Sequence, residues 1–333
     1  MRPALALFGY ALAVSWCLPP LLARLTGRGV SARLGLAAWL SAMASALVAG
    51  GLGIQSLFGT VRADWPSLTR AVCRSVAGDA CTPVVYRSAL YELAVGAVAI
   101  LASAVTVVAL WRYGRRTRRG RVRSRAHAQA ALLTGRPLPG TGAVVLDDPR
   151  PAAYCVPGRP AAIVLTTGAL SVLDGAQLTA VLAHERAHLS GRHHALVLAT
   201  RGLAAALPGV PLFTRGAAEV ARLAEMSADD AAARASGRPT VVAALLAIGT
   251  GTAVSASALG PLGPGSPEPS SIPSIVPGMR GVGLAATSYA LPARVQRMLA
   301  PAHPVRDAVL SLVLAAAAIV LVLLPPAITA LAG

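Results

Sequence analysis

Residues 182–196 read LAHERAHLSGRHHAL and hold four of the six histidines in a chain of 333 residues. The run opens with His184-Glu185-x-x-His188. Two histidines four apart on a helix project from one face, one turn from each other. Imidazole nitrogens so placed suit a single zinc ion, which takes nitrogen and oxygen donors in a tetrahedral array. Glu185 is adjacent without being a ligand, and is read as the base that takes a proton from water and passes it to a leaving amine. The helix is predicted from Asp174 as N-cap and from Leu178, Leu182, Leu189 and Leu196, which keep a largely helical rhythm.

Two residues compete to complete the site. His184, His188, Gly191 and His194 satisfy the longer pattern H-E-x-x-H-x-x-G-x-x-H, in which the glycine turns the chain and the last histidine becomes the third ligand. Met226 then lies at a permissible distance for a methionine turn. Beyond Gly191, however, RHHALVLATRGLAAAL contains no turn signal, so the helix is predicted to run through the glycine. His193 and His194, beside Arg192, are read as a polar patch at headgroup level. The other candidate is Glu225, which opens EMSADD and has Asp229 four residues on, on the same helical face. Alanines surround both acids, and unpaired carboxylates on so apolar a helix would be costly. Glu225 is therefore taken as the third ligand, with His194 as the alternative. Asp229 is expected to hydrogen-bond the far nitrogen of a ligand histidine and fix its tautomer. The expected cofactor is Zn2+, one per chain.

Ahead of this helix, residues 143–146, 152–156 and 161–166 are rich in Val and Ile and read as strands. Asp147-Asp148-Pro149 and Pro157-Gly158-Arg159-Pro160 separate them as turns.

The rest of the chain is built for a bilayer. Mean hydropathy is +0.63, 55% of residues are hydrophobic, and all thirty basic residues are arginine. Net charge is +17, but eight arginines crowd between Arg112 and Arg125, directly after an apolar run. Basic residues in that position face anionic lipid headgroups and fix topology, so no direct nucleic-acid binding is expected. Crossing a bilayer needs roughly 20 apolar residues, and four runs qualify, near 4–23, 34–58, 89–111 and 308–331. The first is read as a retained span rather than a signal peptide.

Arginine asymmetry sets the orientation. Arg24, Arg28 and Arg33 lie between the first two spans and the larger cluster follows the third, so both belong on the cytoplasmic side. The N-terminus and the loop 59–88 then lie outside. Cys73 and Cys81, with seven residues between them in that loop, are read as a candidate disulfide pair in an oxidising compartment, while Cys17 and Cys155 read as ordinary buried residues. The apolar segment 241–259, diluted by Thr and Ser, is read as a membrane-adjacent helix rather than a fifth span. Residues 260–278, rich in Pro, Gly and Ser, read as a flexible segment. The expected division is a membrane region over 1–111, a cytoplasmic domain over 112–305, and a C-terminal transmembrane helix over 306–333.

With these residues in hand the chain resembles the M56-family membrane metallopeptidases, the class of the BlaR and MecR antirepressors, which are related to the M48 group of HtpX-type peptidases. AAYCVPGRPAAIVLTTGAL is similar to the paired strands ahead of the zinc helix, LAHERAHLSGRHH to that helix, GVPLF to the segment after it, and EMSADD to the helix bearing the third ligand. LPARVQRML is similar to the arginine-bearing motif before the last span. The resemblance implies a multi-pass α-helical membrane protein with a cytoplasmic α+β gluzincin metallopeptidase domain and about four transmembrane helices. It implies His184, His188 and Glu225 on zinc, Glu185 as base, and a substrate chain added as a strand beside 161–166. The antirepressors carry an extracellular sensor domain after their last span, whereas this sequence stops at Gly333, so antibiotic sensing is not carried over.

Three functions follow as expectations. The first is a regulatory endopeptidase whose partner is a BlaI/MecI-like winged-helix repressor. The second is a quality-control protease acting on membrane proteins, of the HtpX type. The third is a non-catalytic receptor with a structural metal site, which the presence of Glu185 argues against, because a structural site needs no base.

Overall fold

Among the described residues four helices are long and apolar enough to cross a membrane, and their candidate spans are Pro3–Leu25, Ala32–Gly59, Gly96–Thr134 and Asp307–Leu331. The computed structural model describes residues 2–27, 31–63, 86–158, 160–259, 285–299 and 304–332. Cys73 and Cys81, most of the loop 59–88 and the segment 260–278 lie outside the described residues.

The first two spans are α1 (Arg2–Leu25) and α2 (Ala32–Ala63). The third belongs to α3 (Tyr86–Thr134), which continues past its apolar part and carries the arginine cluster on the same helix. A small sheet follows, of β1 (Arg136–Leu138), β2 (Ala143–Leu146), β3 (Ala153–Val156) and β4 (Ala162–Thr166). Next come α4 (Thr167–Val172), α5 (Gly175–Ser190), α6 (His193–Ala206), α7 (Pro211–Ser236), α8 (Arg238–Thr250), α9 (Ala285–Leu299) and the last span, α10 (Pro304–Ala332).

The sheet order is β1-β2-β4-β3. β2 and β4 are parallel, and β3 runs antiparallel to β4. β4 is therefore an interior strand, buried at all five residues. This corrects the expectation that 161–166 receives an added strand, since both its edges are already paired. The free edge on this side belongs to β3, which packs against α5.

The core joins the spans to the soluble elements. Val14 and Leu22 of α1, Trp39 and Met43 of α2, Leu212, Phe213 and Leu223 of α7, and Leu314 and Leu321 of α10 form one buried cluster. A Cβ on Gly216 of α7 would stand 3.0 Å from the Trp39 ring, so the glycine lets α7 approach α2 closely. In contrast, Val98, Ile100, Leu101, Val105, Val107 and Leu110 of α3 stay exposed, as do Leu312, Ile319 and Leu323 of α10. So continuous an apolar face on an otherwise folded chain marks contact with lipid.

α8 accounts for the apolar segment after residue 240. At 13 residues it is too short to cross a bilayer. Val241, Val242, Ala243, Ala244 and Ala247 are buried, against α5, α7 and α9. Its hydrophobicity serves the core. Cys17 differs from expectation as well: it is exposed, beside the exposed Trp16 on the outer face of α1.

Candidate metal centre

α5 starts where the capping chemistry predicts. Asp174 accepts from the Gln177 backbone at 2.8 Å, and the Gln177 side chain accepts from the Asp174 backbone at 3.2 Å. Its other end differs from the sequence reading. The helix stops at Ser190, Gly191 caps it, and Arg192 takes the left-handed conformation at φ 49° before α6 begins at His193. A non-glycine residue there gives no sequence signal, because arginine has no preference for that region.

His184 and His188 project from α5 toward α7, which presents Glu225 and Asp229. The two Nε2 atoms are 3.1 Å apart. Glu225 Oε1 lies 3.5 Å from His188 Nε2, and Oε2 lies 3.7 Å from His184 Nε2. Ligand atoms about 2.1 Å from a shared tetrahedral centre stand roughly 3.4 Å from one another. The three observed separations bracket that spacing, and two imidazole nitrogens with one carboxylate oxygen are a donor set that zinc accepts. His184, His188 and Glu225 thus form a group that can hold a metal ion.

The outer nitrogens of both histidines are also engaged. His184 Nδ1 meets Asp229 Oδ1 at 3.1 Å, and His188 Nδ1 meets His193 Nδ1 at 3.1 Å. Asp229 is fully buried and is held by the Arg294 guanidinium, which donates from Nε at 2.7 Å and from Nη2 at 2.6 Å. Arg294 Nη1 stands 3.3 Å from Glu225 Oε2. One arginine from α9 therefore touches both Glu225 and Asp229 of α7. LPARVQRML marks it in the sequence only as an arginine near the last span; nothing local indicates a partner 65 residues away.

Burial opposes charge on both acids, yet both sit below the ordinary carboxylate range. Hydrogen bonds with His184 and His188 hold Glu225 there, and Arg294 followed by His184 holds Asp229. For His184, burial works against protonation, but Asp229 and Glu225 outweigh it and raise the imidazole to about 9. His193 goes the other way. Burial and the neighbouring His188 push it down to about 4.

Glu185 is buried, and its carboxylate acts on the buried Cys155 thiol of β3. Burial and then the Glu185 charge push that thiol well above its usual range, so it stays protonated. Cys155 is thus buried as expected, but it lines the site. His194 lies outside the metal-binding group. Its Nε2 is 3.8 Å from Cys155 Sγ, so the ring lies against β3. Met226 sits inside α7 and packs in the cluster shared with the spans, so it forms no turn below the site. His193 is buried, which removes it from any headgroup-level patch.

Residues 116–210 match the family model of Peptidase family M48, a stretch running from the arginine cluster through the metal-site helix to the start of α7. The region is accordingly similar to a metallopeptidase family. Among curated proteins, a protease HtpX homolog from Acidiphilium cryptum (strain JF-5) is 39% identical over 72 residues, covering 21% of this chain and 25% of that protein. The chain thus matches about a quarter of that relative's length. No solved structure matches. Both likenesses point to the M48 side of the resemblance rather than to the antirepressor class. Glu225, Asp229 and Arg294 lie beyond the family match, so their roles are argued from geometry.

Proposed function

We propose that this chain is a zinc-dependent membrane endopeptidase of the HtpX type, hydrolysing peptide bonds in membrane proteins that have lost their fold. The observation that carries the reading is the convergence of His184, His188 and Glu225 within ligand spacing, beside a buried Glu185. The HtpX homolog supports the choice of role. No observation favours a repressor substrate, and the quality-control reading takes its place.

Held by His184, His188 and Glu225, zinc supplies Lewis acidity toward a peptide carbonyl and toward water. The chain's own residues do the rest. Glu185 takes a proton from the attacking water and delivers it to the departing amine. Asp229 holds His184 in the tautomer that leaves Nε2 free for the metal, and Arg294 keeps Asp229 and Glu225 in place. The free edge of β3 is where an extended substrate adds as a strand. Strand alternation puts the backbone groups of Ala153 and Cys155 on that edge, since the Ala152 carbonyl is already taken by Thr166. His194, now against Cys155, gives way there to the substrate.

The test is zinc stoichiometry and cleavage by the full chain in mild detergent, with a destabilised helical membrane protein and a folded winged-helix repressor as alternative substrates. Glu225→Ala is expected to lose zinc. Glu185→Gln keeps about one equivalent but loses cleavage by at least a hundredfold, and His194→Ala keeps the metal. Loss of zinc in His194→Ala with retention in Glu225→Ala would reject the ligand set. Preferential cleavage of the repressor would reject the role.

A further inference from the structure

We propose that His193 is the positioning residue for His188, accepting a hydrogen bond from its Nδ1 and so fixing the ring's tautomer and aim. The inference rests on the reading of His188 as a metal ligand. A neutral imidazole has one donor nitrogen and one acceptor nitrogen. Nε2 of His188 faces His184 and Glu225, so its lone pair belongs to the metal and the ring proton sits on Nδ1. The atom that meets Nδ1 is Nδ1 of His193, at 3.1 Å, with the two rings edge to face. His193 accepts there and carries its own proton on Nε2.

The chain between the two histidines is shaped to allow this contact. On an unbroken helix a residue five positions on is turned about 140° away, and the two side chains would not meet. The left-handed Arg192 breaks the helix and swings His193 back over its predecessor. Gly191 provides the space, since a Cβ there would fall on Nε2 and Cδ2 of the His193 ring. His193 is 5% exposed, so the contact is shielded from water. A neutral acceptor also suits the surroundings. Among the described residues the site already holds Glu185, Glu225 and Asp229 against a single buried guanidinium, that of Arg294, and a further buried carboxylate would add uncompensated charge. The histidine pair after the glycine therefore divides its work: His193 supports a ligand, and His194 lies against β3.

The experiment measures zinc affinity of the full chain in detergent, by competition with a chromophoric chelator. His193→Leu removes the acceptor, whereas His193→Asn places an amide oxygen about where Nδ1 stood. Removing an outer partner of a ligand histidine costs roughly 10–100-fold in metal affinity. That loss is expected for His193→Leu, with His193→Asn close to wild type. Gly191→Ala, whose backbone strains nothing at φ −76°, is expected to weaken zinc binding as His193→Leu does. Combining the two should add little further loss, because both remove one contact. Wild-type affinity in His193→Leu overturns the inference, and so does an Asn variant that falls as far as the Leu variant. His188→Ala is measured alongside. Should it keep its zinc, the reading of the site fails; should it lose zinc while His193→Leu does not, only the role of His193 fails.

Discussion

His184 stands between two carboxylates, and that position makes the metal-free protein sensitive to pH. Its imidazole is raised from 6.5 to about 9, burial being outweighed by Asp229 and Glu225. A group whose folded value is raised stabilises the fold fully below its unfolded value, and the contribution is lost as pH climbs through the folded value. The window here runs from 6.5 to about 9. Asp229 and Glu225 are held low, so their contribution is present above the ordinary carboxylate range and is lost only in acid. The metal-free chain should therefore lose thermal stability between pH 6.5 and 9. Zinc competes with the His184 proton, so its affinity should rise about tenfold per pH unit until that proton is gone near pH 9. Thermal melts of metal-free and zinc-loaded protein across this range check both statements. A metal-free melting temperature that holds steady or rises from pH 6.5 to 9 contradicts the coupling. Asp229→Asn should flatten the metal-free slope by removing the larger partner.

At the scale of elements, α9 is fastened to α7 by two arginines three apart meeting two consecutive aspartates. Arg294 binds Asp229 in a buried fork, while Arg297 binds Asp230 at 2.6 and 2.9 Å in a partly exposed one. The geometries match, but the surroundings separate their effects. Breaking a buried pair strands a charge and costs about 3–5 kcal/mol, whereas a pair in contact with water contributes about 1 kcal/mol or less. Arg294→Met should therefore destabilise the chain by about 3–5 kcal/mol and weaken zinc binding, with Arg297→Met costing under about 1 kcal/mol. Chemical denaturation in detergent reads both, and equal losses would show that burial does not govern the clamp. This clamp also marks where the sequence stops being legible. His184, Glu185 and His188 are legible because one turn of helix relates them. Asp174, β2, β3 and β4 follow from turn residues and local pattern, the expected β3 and β4 each starting one residue early. Glu225 and Asp229 follow from two acids on an alanine-rich helix. Arg294 does not, because its partner is brought to it only by folding. β1 is three residues with a proline and no alternation. Strand order is non-local, so β4 could not be known as interior, and the bend at Arg192 follows from packing rather than from residue preference.

Taken as a whole, the molecule ties its metal centre to its spans instead of hanging it from them. Arg222 of α7 donates to the Thr26 carbonyl at the turn after α1, and Leu223 lies where a Cβ on Gly35 of α2 would reach it at 3.0 Å. The end of α1 near Arg24 and the start of α2 near Arg33 are therefore beside the helix that carries Glu225. On the other flank, the arginine-bearing half of α3 packs on α6, with Leu198 against Gly120 and Tyr113 against Gly202. Both arginine-rich segments thus sit on the same side of the spans as the metal centre. Loops rich in arginine stay on the cytoplasmic side, so we propose that the site lies there, with the loop 59–88 expected from the sequence to lie outside. Single cysteines in a chain otherwise freed of cysteine test this in intact cells. Ser75→Cys should react with a membrane-impermeant maleimide from outside, and Ser171→Cys, exposed at the end of α4, only after the cells are opened. The reverse pattern would put the metal centre outside and its substrates with it. Labelling of both from outside would mean that an odd number of spans does not separate them, and that the exposed apolar face of α3 meets something other than lipid.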